Sequence, residues 1–253
     1  MITRFLLAFW LLLQVSVAGP GNQLLLSYKA PSGGGGGLAV VGAFKNTSTT
    51  TTCAVTVSGI STGDLLVACF SEYNVSTEGS AMTDNLASAG WTKVAGTSDG
   101  LVAISIWYLA NASSSITTVT GTRSTGATDT CLVVHRVTGA STSTPFTSGE
   151  RATANGGSAN PQTSAVSNAT AASIYFAAVG NNSGANPATY TINSTGTTGT
   201  WAIYDSTNSQ ELDGSAHMTI NVPYQIVSST ASRGHGWNTS TSQRYAAAVA
   251  VFH

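Results

Sequence analysis

Three cysteines, four histidines and ten acidic side chains are the groups of this 253-residue chain that could carry nucleophilic, metal or acid–base chemistry. Cys53, Cys69 and Cys131 are odd in number, so they cannot all pair within one chain. If residues 53–58 and 64–69 formed a hairpin about Gly59 to Gly63, the register opposing Ser58 to Asp64 would also oppose Cys53 to Cys69. Opposed strand residues stand about 4.5–5.5 Å apart at Cα, within disulfide reach. The other reading of the same residues is buried thiols serving as small apolar side chains. His135 follows Cys131 at four residues, but that spacing along a strand is about 13 Å, too long to share an ion. His217, His235 and His253 lie in separate segments without ligand spacing, so no metal and no cofactor is expected.

Glycoside chemistry needs two carboxylates facing each other across a sugar. Glu72, Glu78 and Asp84 fall near one expected loop and Glu211 with Asp213 near another, the only acidic groupings that suggest such a pair. No catalytic residue is assigned. Sugar binding without catalysis asks for exposed aromatic rings among Asn and Ser, and the loop aromatics Tyr73, Tyr190 and Tyr224 are the candidates for glycan contact. Trp91 and Trp107 sit at core-facing strand positions, whereas Trp201 and Trp237, at strand ends, suit either role.

Positioning such groups falls to strands. From Leu38 onward, short β-branched and aromatic runs alternate with Gly, Asn, Ser and Thr clusters, and no amphipathic helix of ten residues competes. Strands are expected at 38–44, 53–57, 64–72, 91–95, 101–109, 117–122, 130–137, 172–179, 201–205, 216–227, 234–238 and 245–252, with 147–167 as a polar surface loop. Runs such as Leu65 to Phe70 and Val102 to Tyr108 are apolar on both faces, as strands between layers must be. The expected fold is all-β: one two-sheet β-sandwich over 38–253 with jelly-roll or Greek-key connections. The small-residue run Ala246 to Phe252 reads as a core strand, because an edge so apolar would invite aggregation.

Ahead of this domain, residues 1–18 read as a secretory signal: Arg4, an apolar stretch from Phe5 to Leu13, and Ser16-Val17-Ala18 as a small-x-small cleavage site. The alternative is an uncleaved apolar assembly arm. The stretch is shorter than the ~20 residues a spanning helix needs, so no stable membrane span is expected. Residues 19–37 form a linker ending in five glycines, whose backbone freedom makes a joint between arm and domain.

Charged residues make up only 8% of the chain, with a formal net charge of −1, against about a quarter in ordinary soluble domains. Scattered Lys and Arg cannot neutralise a run of phosphates, so nucleic acid is not an expected partner. Weak mutual repulsion instead permits self-association or docking onto a larger assembly.

The order Gly63-Asp64-Leu65-Leu66-Val67-Ala68, Gly90-Trp91-Thr92, Trp107-Tyr108-Leu109-Ala110, Val137-Thr138-Gly139 with Pro145, and Tyr245 to Phe252 resembles a family of β-sandwich proteins. Its "G-D-L-L-V-A … G-W-T … W/Y-Y" sequences occur in tailed-phage structural proteins and secreted bacterial proteins. The resemblance spans Leu38 to His253 and implies a non-catalytic module, with no active site to carry over. The expected function is therefore structure or attachment on a virion surface or extracellular assembly, through self-association or other subunits. Its rivals are a secreted carbohydrate-binding or adhesion module and, third, a polysaccharide-degrading enzyme.

Overall fold

The computed structural model describes residues 37–124, 126, 128–182, 190–204, 218–239 and 242–253, and the backbone of 211–212. The expected leader, and the linker apart from Gly37, lie outside the described residues. Residues 36–253 form one compact unit, and its described residues contain no helix.

The strands of the first half are β1 (Ala39–Ser48), β2 (Thr52–Thr56), β3 (Asp64–Tyr73), β4 (Ala81–Asp84), β5 (Thr92–Ser98), β6 (Val102–Ala112), β7 (Thr118–Thr122) and β8 (Asp129–Thr138). They make a five-stranded antiparallel sheet in the order β1-β8-β3-β6-β5 and a three-stranded one in the order β2-β7-β4. Successive strands mostly alternate between the two sheets, the connectivity of a jelly roll, with β5 added at the edge of the larger sheet.

The second half repeats that plan. Its strands are β9 (Arg151–Ser158), β10 (Val166–Ser167), β11 (Ser173–Asn182), β12 (Tyr190–Ile192), β13 (Glu211–Leu212), β14 (Met218–Asn221), β15 (Tyr224–Val227), β16 (Ser232–Arg233), β17 (Trp237–Thr239) and β18 (Gln243–Phe252). The main sheet runs β9-β18-β11-β14-β13, the first half's order strand for strand. Its cover is made of the pairs β10-β16 and β12-β17, which occupy the topological places of β2-β7-β4. β15 carries the register of β14 further along β11: Asn221 faces Val179 and Tyr224 faces Phe176. The two are one strand interrupted at Val222-Pro223, where proline has no N–H to give the ladder.

β3 and β11 share one burial pattern, every residue buried up to a half-buried last one. Matched on that pattern, Ser71 corresponds to Gly180 and Glu72 to Asn181. Thr92 pairs with Tyr108 in the first half and Ala202 bridges Tyr224 in the second, so Trp91 and Trp201 hold equivalent places.

The two main sheets face each other, and alternation sorts their side chains into separate cores. Leu65, Val67 and Cys69 of β3 meet Ile174, Phe176 and Ala178 of β11 in the shared core. Leu66, Ala68 and Phe70 turn instead toward the cover of the first half, and Tyr175, Ala177 and Val179 toward that of the second. Two-faced burial is thus the reason these strands are apolar throughout. Each large apolar side chain fully buried contributes about 1.5–3 kcal/mol. β18 is central, between β11 and β9, and its residues from Tyr245 to Phe252 are all buried. Ala246, Ala248 and Ala250 line the shared core, where their small size lets the sheets approach.

Two sequence expectations are corrected here. Residues 147–167 are not simply a loop: β9 lies within them, paired along β18 and alternating exposed with half-buried positions. The supposed hairpin of 53–58 with 64–69 does not form either. β2 pairs with β7 in the cover and β3 with β6 and β8 in the main sheet, so Cys53 faces Gly121 while Cys69 faces Ile106 and Val133. No disulfide joins the three cysteines, and all are buried. Burial pushes the Cys69 thiol well above its ordinary pKa, the behaviour of a small apolar core residue.

Candidate binding site

The described acidic groups that suggested a catalytic pair are each engaged by neighbours within the protein. Glu72 is fully buried, with Oε1 accepting from the Ser124 amide at 2.7 Å and its hydroxyl at 3.1 Å. Burial raises its pKa to about 7, against the lowering effect of the Ser124 bonds. Glu78 pairs with Lys93 at 3.6 Å. Asp84 closes the turn after β4: it accepts from the Leu86 and Ser88 amides, the Ser88 hydroxyl and, at 3.0 Å, the Trp91 indole. Burial alone would raise the pKa of Asp84, and those bonds outweigh it and hold the carboxyl below its ordinary value. The side chain of Glu211, and Asp213, lie outside the described residues.

The larger cavity, about 370 Å³, opens where β5 and β9 converge and is lined by Glu78, Lys93, Gly96 and Arg151. Its charges are engaged within the protein. Besides the Glu78 pair, Lys93 stands 5.5 Å from the Trp107 ring centroid, and Arg151 donates to the Val94 carbonyl. Asn155 donates to Thr97 Oγ1 and the Ser98 carbonyl, and Arg244 pairs with Asp99 at 2.6 Å. These side chains clasp the second half to the exposed edge of β5, and they cover carbonyls that would otherwise offer an open sheet edge.

A smaller cavity of about 110 Å³ has a different character. It lies in the outer cover of the second half, lined by Tyr190, Ile192, Trp201, Pro223, His235 and Trp237 among others. The fold brings these together in identifiable ways. β17 pairs with β12, placing Trp237 opposite Ile192. His235 precedes Trp237 by two residues, the spacing that puts side chains on one face of extended chain. Trp201 arrives from the stretch bridged to Tyr224. The His235 ring meets both indoles edge-on, with centroids 4.9 Å from Trp201 and 4.6 Å from Trp237. Burial lowers the pKa of His235 to about 4, so the ring is neutral near pH 7, and its Nδ1 has no hydrogen-bond partner.

The rim is apolar and open. Ile192 is 56% exposed and Ile203, also lining the cavity, 42%, with Tyr204 beside it equally open. Large apolar side chains this exposed, gathered about one concavity, mark a surface for binding.

The three tyrosines read from the sequence as loop residues stand in strands: Tyr73 ends β3, Tyr190 opens β12 and Tyr224 opens β15. Tyr73 and Tyr224 pack against the shared core, and Tyr224 lies 6.1 Å from Phe176 between ring centroids. Tyr190 alone of the three lines the aromatic cavity; its hydroxyl meets Thr219 Oγ1 at 2.6 Å, and burial raises its pKa. Trp201, Trp237 and His235 complete that wall. Their signal was present in the His-Gly-Trp alternation and in two tryptophans at strand ends, though only the cover's pairing joins them.

No family model, no curated protein and no solved structure matches this chain.

Proposed function

We propose that this chain is a non-enzymatic module with a structural or attachment role on a virion surface or in an extracellular assembly. The observation that carries this reading is the aromatic cavity with its exposed isoleucine rim on the outer layer of the second half. Glu72, Glu78 and Asp84 engage Ser124, Lys93 and Trp91 respectively, internal contacts that hold structure. The low charge of the chain and the leader-plus-glycine-joint organisation also favour display on an assembly. A second reading, a secreted carbohydrate-binding or adhesion module, is favoured by the Tyr190–Trp201–Trp237 wall.

Fractionation of the native source tests the proposal. The chain is expected with purified particles or extracellular assemblies, and a double Ile192→Lys, Ile203→Lys variant, altered only at exposed positions, is expected to be released from them. A monomer recovered solely as a free protein contradicts it, as does polysaccharide cleavage that disappears on substituting Glu72.

A further inference from the structure

We propose that the Tyr190–Trp201–Trp237 cavity binds one uncharged pyranose residue, the end unit of a glycan; this rests on the attachment reading above and names its ligand. Size comes first. An open cavity of about 110 Å³ seats part of one sugar ring and has no room for a run of linked ones.

The walls come second. Trp237 Nε1 donates to Asn221 Oδ1 at 2.8 Å and Trp201 Nε1 to the Thr198 carbonyl at 3.0 Å. Both indole N–H groups are thus satisfied inside the protein; Trp237 and Trp201 are buried and line the cavity from within, while the exposed Ile192 and Ile203 supply most of its open carbon surface, with Pro223 beside them. The C–H face of a pyranose is the complementary surface, and burying it against this apolar carbon is favourable.

Charge comes third. Among the described residues, no Asp, Glu, Lys or Arg lines the cavity. A uronate, a sialic acid or an amino sugar would leave its charge desolvated without a counter-ion, a heavy penalty. The equivalent corner of the first half differs: there Trp91 donates to the Asp84 carboxylate. The halves share a plan and diverge at this place.

Polarity comes last. His235 is 2% exposed and lines the cavity, and its Nδ1 lacks a partner. Buried polar groups in native structures are ordinarily paired, and one left over at a cavity calls for an explanation. A hydroxyl of the sugar supplies the missing partner; an apolar protein side chain would not.

The experiment is titration of the full chain, followed by tryptophan fluorescence and saturation-transfer NMR. The neutral probes are the methyl glycosides of glucose, galactose, mannose, fucose and N-acetylglucosamine; the charged ones are glucuronate, N-acetylneuraminate and glucosamine. Saturable millimolar binding of at least one neutral probe is expected, with transfer to its ring C–H protons, no response to the charged probes, and at least a tenfold loss in Ile203→Lys. Absence of saturation by every neutral probe at about 100 mM overturns the inference, as does preference for a charged one. If the Ile192→Lys, Ile203→Lys protein is nonetheless released from its assembly, the sugar falls and the attachment surface stands. If it is not released, both fall.

Discussion

His135 offers a quantitative test of how the shared core is built. Its ring is fully buried on β8, 4.9 Å from Phe176 between centroids, and neither nitrogen has a hydrogen-bond partner. Burial lowers its pKa from 6.5 to about 3; that of His235 falls to about 4, while that of Glu72 rises from 4.5 to about 7. Between pH 5 and 6 both histidines are neutral in the folded chain and protonated in the unfolded one. Glu72 does the reverse, protonated when folded and ionised when unfolded. The unfolded state therefore binds about one more proton from these three groups, and stability falls as pH falls, by about 1 kcal/mol per pH unit. His135→Leu removes one histidine and should lower that slope by about 1 kcal/mol per unit; Glu72→Gln removes the opposing group and should raise it by about as much. Urea unfolding at pH 5.0, 5.5 and 6.0, followed by tryptophan fluorescence, reads the slopes directly. A His135→Leu protein with the wild-type slope, or a Glu72→Gln protein with a flatter one, would refute the assignment of these protons.

Three further outcomes are expected. In Gly180→Ala the new Cβ would stand 2.9 Å from Ser71 Cβ and 3.0 Å from Met218 Cε, costing about 1–3 kcal/mol in urea unfolding; Ser71→Gly in the same chain should recover most of it, and strictly additive losses would contradict the close seam. Alkylation in denaturant without reductant should add three groups by mass, and native protein should resist over the same time; a shortfall of two would mean a disulfide. Asp84→Ala should destabilise the fold by about 2 kcal/mol, since it strips the half-buried Trp91 indole N–H and two turn amides of their acceptor; an unchanged urea midpoint would mean that the turn holds without it.

What was legible in the sequence follows the apolar pattern. β3, β6, β8, β11 and β18 were readable because burial on both faces demands unbroken apolar runs, and the all-β sandwich follows from them. β9 was not, because Arg-Ala-Thr-Ala-Asn-Gly-Gly-Ser at a sheet edge needs little apolar surface. Pairing was hidden for a different reason. In a jelly roll, chain neighbours such as β2 and β3 belong to different sheets, so proximity along the chain misassigned the partner of Cys53. The repeat of the plan was equally hidden, since β3 (DLLVACFSEY) and β11 (SIYFAAVGNN) share burial more than residues. Of the site, Tyr190 was legible as an aromatic among polar residues, whereas Trp201 and Trp237 became wall residues only through the pairing of β12 with β17.

The most direct test of attachment through the second half's outer cover is retention of the full-length protein on its native assembly, wild type against Ile192→Lys, Ile203→Lys. Wild-type protein should co-purify with particles or extracellular assemblies, and the variant, with the wild-type melting temperature, should be retained at least tenfold less. Equal retention of a folded variant, or a wild-type chain found only as free monomer, would contradict it.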